Sequence, residues 1–496
     1  MAVITNPPKV LTMDDYLAHW KPDGWELLTI GPTSTWRQEW GEWESIRDIV
    51  QNALDEAESY RTGYDSQGLW IADKGKGVAV ADFLLGPPKL KPDWARGKYG
   101  EGMKVACLAL IRKGYPVHVE TVGRELWIFF LEQKVDGHAQ TLAALWRPDG
   151  ASIGTKFHII GYTGDAFKDR FAVNLPREAI VAEGPSPLTQ PVRRFNQLIQ
   201  YYFPGSRIFA RDIYMRPIQS PFSYNLWGFE MAPDRHGPKN ENDVWVDMAR
   251  LWCCVTRIDL LEKFLQMVAE PPLLKSDESR NLRMDTWSMG TEPVTGKTYA
   301  SFVKEYAANW REAWRNIYGD STVMRTSDRY DGTVKHLGYK SVEVQWYVAD
   351  TLAEAIMSDK SLVKESQEKL RETEVIPDSG LSHRQLVHLR IARAITNQWA
   401  TNPVSGVYAA IIPPASDRVR TAGLYSRVTE EIDIALDQLD HAQSTIDTTI
   451  HELAHHVSGA EDLEETHSNA MTRIAARVVQ LTSERKFDDV LKEAVW

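Results

Sequence analysis

In the stretch "TIHELAHHVSG", His451 and His455 stand four residues apart with Glu452 beside the first. On a helix this spacing brings two imidazoles to one face, where they can bind Zn²⁺. The glutamate is then placed to take a proton from a water on the metal. Ile450, Leu453, Ala454 and Val457 form the buried stripe of such a helix, and Gly459 is suited to end it. A zinc ion that does chemistry needs a third protein ligand and an open fourth position. "EDLEETHSNAM" offers Asp462, Glu464, Glu465 and His467. His467 is the first choice, because the carboxylates suit the acidic first turn of a following helix; Glu465 and Asp462 are the alternatives. Isolated histidines such as His383, His388, His441 and His456 are ordinarily packed or surface residues, an account that does not serve the His451–His455 pair.

A second set of polar residues lies near the other end of the chain. "WESIRDIVQNALDEAE" places Ile46, Ile49, Val50, Ala53, Leu54 and Ala57 at helical intervals, with Asp48, Asn52 and Asp55 on the opposite side. A solvated face accounts for the two acids, but an Asn in mid-helix is easier to explain if its amide has a task. In "LWIADKGKGVAV" an apolar run ends in Asp73, followed by Gly75 and Gly77. A strand that delivers a carboxylate to a glycine turn suits a base or a sugar. "ARGKYGEGMKVACLALIRKG" sets Gly97, Gly100 and Gly102 ahead of an apolar helix, whose free N–H groups and dipole can cradle phosphate oxygens. Each feature alone is weak, since Asp and Gly are common turn residues.

Their order is more specific. The helix with Asn52, the Asp-x-Gly-x-Gly turn, the glycine-rich helix entry and the strand-like "IGTKFHIIGYT" resemble the successive motifs of the GHKL, or Bergerat-fold, ATPases. That superfamily includes gyrase B, MutL, the MORC proteins, histidine kinases and the heat-shock chaperone ATPases. The resemblance covers roughly residues 35 to 165 and implies ATP and Mg²⁺ as cofactors. It implies that Asn52 coordinates Mg²⁺ and Asp73 takes the adenine amino group. Gly75 and Gly77 would shape the adenine pocket, and Gly97, Gly100 and Gly102 would form a phosphate-binding lid. Thr155 would support the base through Asp73 or a water. Four residues before the Asn the family usually holds a glutamate that activates the attacking water; here it is Asp48. The shorter side chain changes the reach by one methylene, so binding of ATP follows more directly than fast hydrolysis. In hydrolysing members a following domain brings a Lys or Arg to the γ-phosphate, and ATP closes a dimer. Arg211, in "IFARDIY", is a candidate, although a surface or ion-paired arginine is the simpler account.

The segment from about residue 381 onward resembles the zincin class of zinc peptidases. The resemblance rests on HExxH, the "TTI" ahead of His451 and the strand-like "EEIDIALDQL" upstream. Such folds place there an edge strand that holds an extended peptide by main-chain pairing. The resemblance implies Zn²⁺, Glu452 as general base and a polypeptide substrate. No Met-turn is present.

The remaining residues must position these two sets. A chain of 496 residues suggests about three domains at roughly 150 residues each. Pro- and Gly-rich "VAEGPSPLTQPV" (Val181 to Val192) and "VIPDSG" (Val375 to Gly380) look like connectors. The expected fold class is α+β multidomain: a Bergerat-type α/β sandwich over 1–180, a transducer-like α+β domain over 190–375 and a mainly helical zincin-like domain over 381–496. Within the middle part, "SRIFARDIYMRPI" alternates as a strand does, and "SVEVQWYVADTLAEAI" reads as a strand entering a helix.

The 18 Trp imply large buried or ligand-stacking surfaces. Three Cys, two of them adjacent, exclude a disulfide framework or a cysteine zinc cluster and fit a reducing compartment. A net charge of −11 disfavours general attraction to nucleic acid, local basic pairs such as Arg193 and Arg194 aside. Without an apolar run of membrane length or a signal segment, a cytoplasmic location is expected, with no membrane partner. The combined expectation is an ATP-regulated metallopeptidase, closing or dimerising on nucleotide. The alternative is an ATP-dependent clamp of chaperone or MORC type whose zinc module is structural or binds a partner. A third reading, prompted by Asp48, is a scaffold that holds nucleotide without hydrolysing it.

Overall fold

Alternating apolar residues in the first third of the chain pair into one large sheet. Its strands are β1 (Val10–Leu11), β2 (Glu26–Thr33), β3 (Arg61–Asp65), β4 (Gly68–Ala72), β5 (Val117–Thr121), β6 (Arg124–Val135), β7 (His138–Arg147) and β8 (Thr155–Ile160). They run in the order β2-β7-β6-β5-β8-β4-β3, with β1 added parallel to β6. The computed structural model describes residues 9–84, 95–96, 101–135, 138–164, 167–188, 193–232, 237–399, 403–462 and 464–496. The chain divides into two units, Met1–Val255 with Lys275–Phe302, and Thr256–Leu274 with Val303–Trp496. It is thus a multidomain α+β protein, and the region 190–375 is shared between the two units.

In the first unit, helices α1 (Glu42–Ala57) and α2 (Gly102–Arg112) cover one face of the large sheet. Ile46, Ile49, Val50 and Leu54 of α1 join Ala106, Cys107 and Leu110 of α2 over Leu69, Ile71, Val117, Val119, Phe157 and Ile159. Each fully buried aliphatic side chain is worth about 1.5–3 kcal/mol, so this layer fixes the faces that α1 and α2 turn outward. Helix α2 is apolar almost all round because every residue from Met103 to Ile111 is buried. The other face of the sheet carries Trp25, Trp127, Phe129, Leu131 and Leu145, which uses part of the tryptophan content.

A second sheet of this unit comprises β9 (Ile180–Pro185), β10 (Phe195–Ile199), β11 (Arg207–Ala210), β12 (Ile213–Pro217) and β13 (Ser223–Leu226), in the order β12-β11-β13-β10-β9. Two expectations change here. The start of "VAEGPSPLTQPV" is strand, not connector: β9 pairs antiparallel with β10, Glu183 opposite Gln197. It is an edge strand, where a proline costs no ladder bond. "SRIFARDIYMRPI" is a hairpin, not one strand. Arg211 and Asp212 take φ of 53° and 74° and turn β11 back into β12, as a tight hairpin requires.

In the second unit β14 (Thr322–Arg325) lies parallel to β15 (Lys340–Glu343), and a helix at Trp346–Leu352 follows, as "SVEVQWYVADTLAEAI" suggests. Between them is the short helix α3 (Asp331–His336). A four-stranded sheet has the order β16 (Glu374–Ile376), β17 (Gly406–Ile411), β19 (Glu431–Ala435), β18 (Gly423–Ser426). Helices α4 (His383–Thr396), α5 (Ala442–Ser458) and α6 (Glu465–Ser483) share its core, including Ile391, Ile395, Leu453, Ile474, Ile432 and Ile434. The strand expected at the edge, "EIDIA", is internal: β19 pairs with β17 on one side and β18 on the other. Among the described residues no helix is long and apolar enough to cross a membrane.

Candidate functional site

Helix α5 presents His451 and His455 on one side while burying Leu453 and Ala454. It ends at Gly459, whose φ of 66° lets the chain reverse. The reversal carries Asp462 to the two imidazoles, and α6 then supplies His467. One donor atom from each of His451, His455, Asp462 and His467 lies within 4.8 Å of the others. Asp462 Oδ1 is 2.9 Å from His451 Nε2 and 3.3 Å from His455 Nε2. The rings of His455 and His467 stack at 4.1 Å. The Ala460 carbonyl lies 2.9 Å from His455 Nδ1, an outer contact of the kind that fixes a ligand imidazole's orientation. The carboxylate has a further neighbour: Asp462 Oδ2 is 3.3 Å from His336 Nδ1, at the end of α3.

The electrostatics follow from this crowding. Burial alone would lower the pKa of His455, but its bonds to Asp462 and Ala460 and the charge of Glu452 outweigh that and lift it to about 9. The bond to Asp462 raises His451 as well. Burial works to raise Asp462, yet the two imidazoles hold its carboxyl far below the ordinary carboxylate range. Burial lowers His467, helped by the charge of His455.

Glu452 faces away from solvent against β18. A β-carbon at Gly423 would come within 2.7 Å of Glu452 Cγ. Burial pushes the Glu452 carboxyl up to about 7, against the pull of His451 and His455 and of the Tyr425 N–H. A carboxylate poised near neutrality suits proton transfer.

In the first unit, Asp73 closes the end of β4. Its Oδ1 accepts the N–H groups of Gly75 at 2.7 Å and Thr155 at 3.3 Å, and its own N–H donates to the Thr155 carbonyl at 2.9 Å. Among the described residues Oδ2 takes no hydrogen bond, and burial raises the carboxyl. Gly75 meets α1: a β-carbon there would lie 2.8 Å from Glu56 Cβ, one turn beyond Asn52. Gly77, with φ of 87°, packs so that a β-carbon would lie 2.8 Å from Val122. The Thr155 hydroxyl is 3.2 Å from Thr121 Oγ1, so Thr155 reaches Asp73 through its backbone and not through its side chain. Asp48 lies at the first turn of α2, where a β-carbon at Gly102 would overlap its carboxylate, and Arg47 Nε donates to it at 3.2 Å. Gly97 and Gly100 lie outside the described residues.

No protein-family model and no curated protein matches this chain.

The sequence-derived residues therefore fall into two groups. His451, His455 and His467 converge, and Asp462 joins them instead of replacing His467; Glu465 is not in that cluster. Asp73, Gly75 and Thr155 converge beside α1, and Asp48 meets Gly102. Asp55 departs from the expected open polar face. It accepts the Arg96 N–H at 2.9 Å, and Arg96 is held in turn by Asp212 and the Arg211 carbonyl. Arg211 is not a surface residue: it is buried, and it donates to the Ala95 and Phe229 carbonyls at 3.1 and 3.2 Å. With Arg47, Arg96 and Gln51 it lines a cavity of about 40 Å³. Sequence reasoning missed His336, Gly423 and Thr121. Only Thr121 carries a local signal, a polar residue closing the strand-like "VHVET".

Proposed function

We propose that this chain is an ATP-binding protein that controls a zinc-dependent, peptidase-like centre. The convergence of His451, His455, His467 and Asp462 beside buried Glu452 carries the hydrolytic half. Donors at about 2.0–2.1 Å from one tetrahedral zinc stand about 3.4 Å apart, and the Asp462–imidazole separations of 2.9 and 3.3 Å are close to that. Three imidazoles and a carboxylate are also a donor set that zinc accepts. When bound, the metal would acidify a water and polarise a carbonyl. Glu452 accepts the proton from the attacking water and passes it to the leaving amine. Strand β18, at the edge of its sheet beside Glu452, pairs an extended polypeptide through main-chain groups.

The first unit supplies the nucleotide half, as a Bergerat-type sandwich of sheet and helices. Asp73 Oδ2 accepts an adenine amino group, and Gly75 and Gly77 let the turn after Asp73 pack closely against Glu56 and Val122. Asn52 holds Mg²⁺. The glycine-rich entry to α2 would bind the phosphates, and Asp48, beside Gly102, is the base for any hydrolysis. Nucleotide binding closes a homodimer in the cytoplasm, a location that accords with three free thiols. A second reading has its own support: structural zinc sites are closed by four protein ligands, and Asp462 makes a fourth donor here. The chain would then be an ATP-driven clamp of chaperone or MORC type.

Cleavage of unstructured proteins, followed with and without ATP, separates the two. The wild type is expected to cleave at an ATP-dependent rate. Glu452→Gln should lose about 10²- to 10⁴-fold while still binding nucleotide, and Asn52→Ala should lose the ATP response. A wild type inert toward a broad panel in both states removes the peptidase reading and leaves the clamp.

A further inference from the structure

Asp462 is the feature that the peptidase reading does not absorb, because a catalytic zinc keeps one position open and this carboxylate adds a fourth donor beside the three imidazoles. Its Oδ1 bridges His451 Nε2 and His455 Nε2 at 2.9 and 3.3 Å, in direct contact with both imidazoles and near the separation of about 3.4 Å between two ligands on one tetrahedral ion. Its other oxygen is engaged by His336 Nδ1 at 3.3 Å. His336 ends α3, whose Val334 and the adjoining Leu337 sit in a small core with Val323, Leu362 and Ala415. The same corner reaches the approach to β18: the Ser416 hydroxyl donates to the Leu337 carbonyl at 2.8 Å. One short helix therefore touches both the carboxylate at the histidine cluster and the segment that leads into the edge strand.

We propose that Asp462 is a fourth, exchangeable metal ligand, held in place by His336, and that it must swing away before a substrate carbonyl or an inhibitor can enter. This rests on the zinc reading above and adds to it a closed resting state governed by α3. Asp462 leaves as a carboxylate and no covalent bond changes; its place is taken by a neutral or anionic oxygen donor from outside. A shift of α3 loosens the hold of His336 on Oδ2 and so favours the open state.

The test uses the full chain loaded with Co²⁺, whose visible absorption reports its ligands, and acetohydroxamate as the entering probe. Asp462→Asn is expected to change the cobalt spectrum and to tighten hydroxamate binding by about tenfold or more. His336→Ala should keep the metal and tighten hydroxamate in the same direction by a smaller factor. The His336 side chain is 44% exposed, so that variant decides the matter even if Asp462→Asn does not fold. Cobalt uptake with spectra and hydroxamate affinities unchanged in the variants would overturn the role of Asp462 and leave the zinc centre standing. A wild type that takes up no metal would overturn both.

Discussion

His455 and Asp462 set the terms on which protons would compete with a metal for the cluster. The imidazole, ordinarily near 6.5, is held up to about 9 despite its burial, and the Asp462 carboxyl, ordinarily near 3.8, is held down. A raised imidazole stabilises the metal-free fold fully below about pH 6.5, and that contribution fades as pH climbs toward about 9. A depressed carboxyl contributes above its ordinary range and is lost on acidification. Metal requires the neutral imidazole, so zinc affinity should rise as pH increases from about 6 to about 9 and then level off. Competition titrations against a chromophoric chelator across that range measure this; an affinity independent of pH would mean that His455 is not a ligand. Glu452 adds a kinetic counterpart. Its carboxyl lies near 7 without metal, and a bound cation lowers it, so cleavage should show an acid limb at or below about pH 7.

At the scale of elements, α1 meets the first turn of α2 closely. A β-carbon at Gly102 would overlap the Asp48 carboxylate, which is itself buried and bonded to Arg47. Gly102→Ala should therefore cost about 1–3 kcal/mol by overpacking. Most of that loss should return in the double variant with Asp48→Ala, because the overlapping atoms are gone. Denaturant unfolding of the four proteins gives the coupling; additive losses would mean that the two sites do not touch. Such elements were legible where periodicity is strong. The apolar stripes of α1 and α5, the strand before Asp73 and the cap at Gly459 all follow from local pattern. Partnership between distant segments was not legible. The order of strands made "EIDIA" internal and Gly423–Ser426 the edge, and tertiary packing brought His336 to Asp462. Arg211 illustrates the same limit: its positive φ and its burial follow from a hairpin that alternation alone does not distinguish from one long strand.

At the scale of the molecule, the chain joins two α+β units, one holding the Asp73 turn and the other the histidine cluster. The proposed coupling of nucleotide to hydrolysis would be a property of the whole chain, and both readings, peptidase and clamp, call for a metal in the second unit. Ligands from α5, the turn after it and α6 all fall within residues 451–467, so a bound metal would tie these two helices and their turn together and add to the stability of that region. The most direct measurement is the zinc content of purified protein, wild type against the His451→Ala/His455→Ala double variant, after chelator treatment and reloading. One zinc per chain in the wild type and none in the double variant is the expected result. A wild type that returns from reloading without zinc, or a double variant that holds as much, would contradict the metal centre on which the proposed function rests.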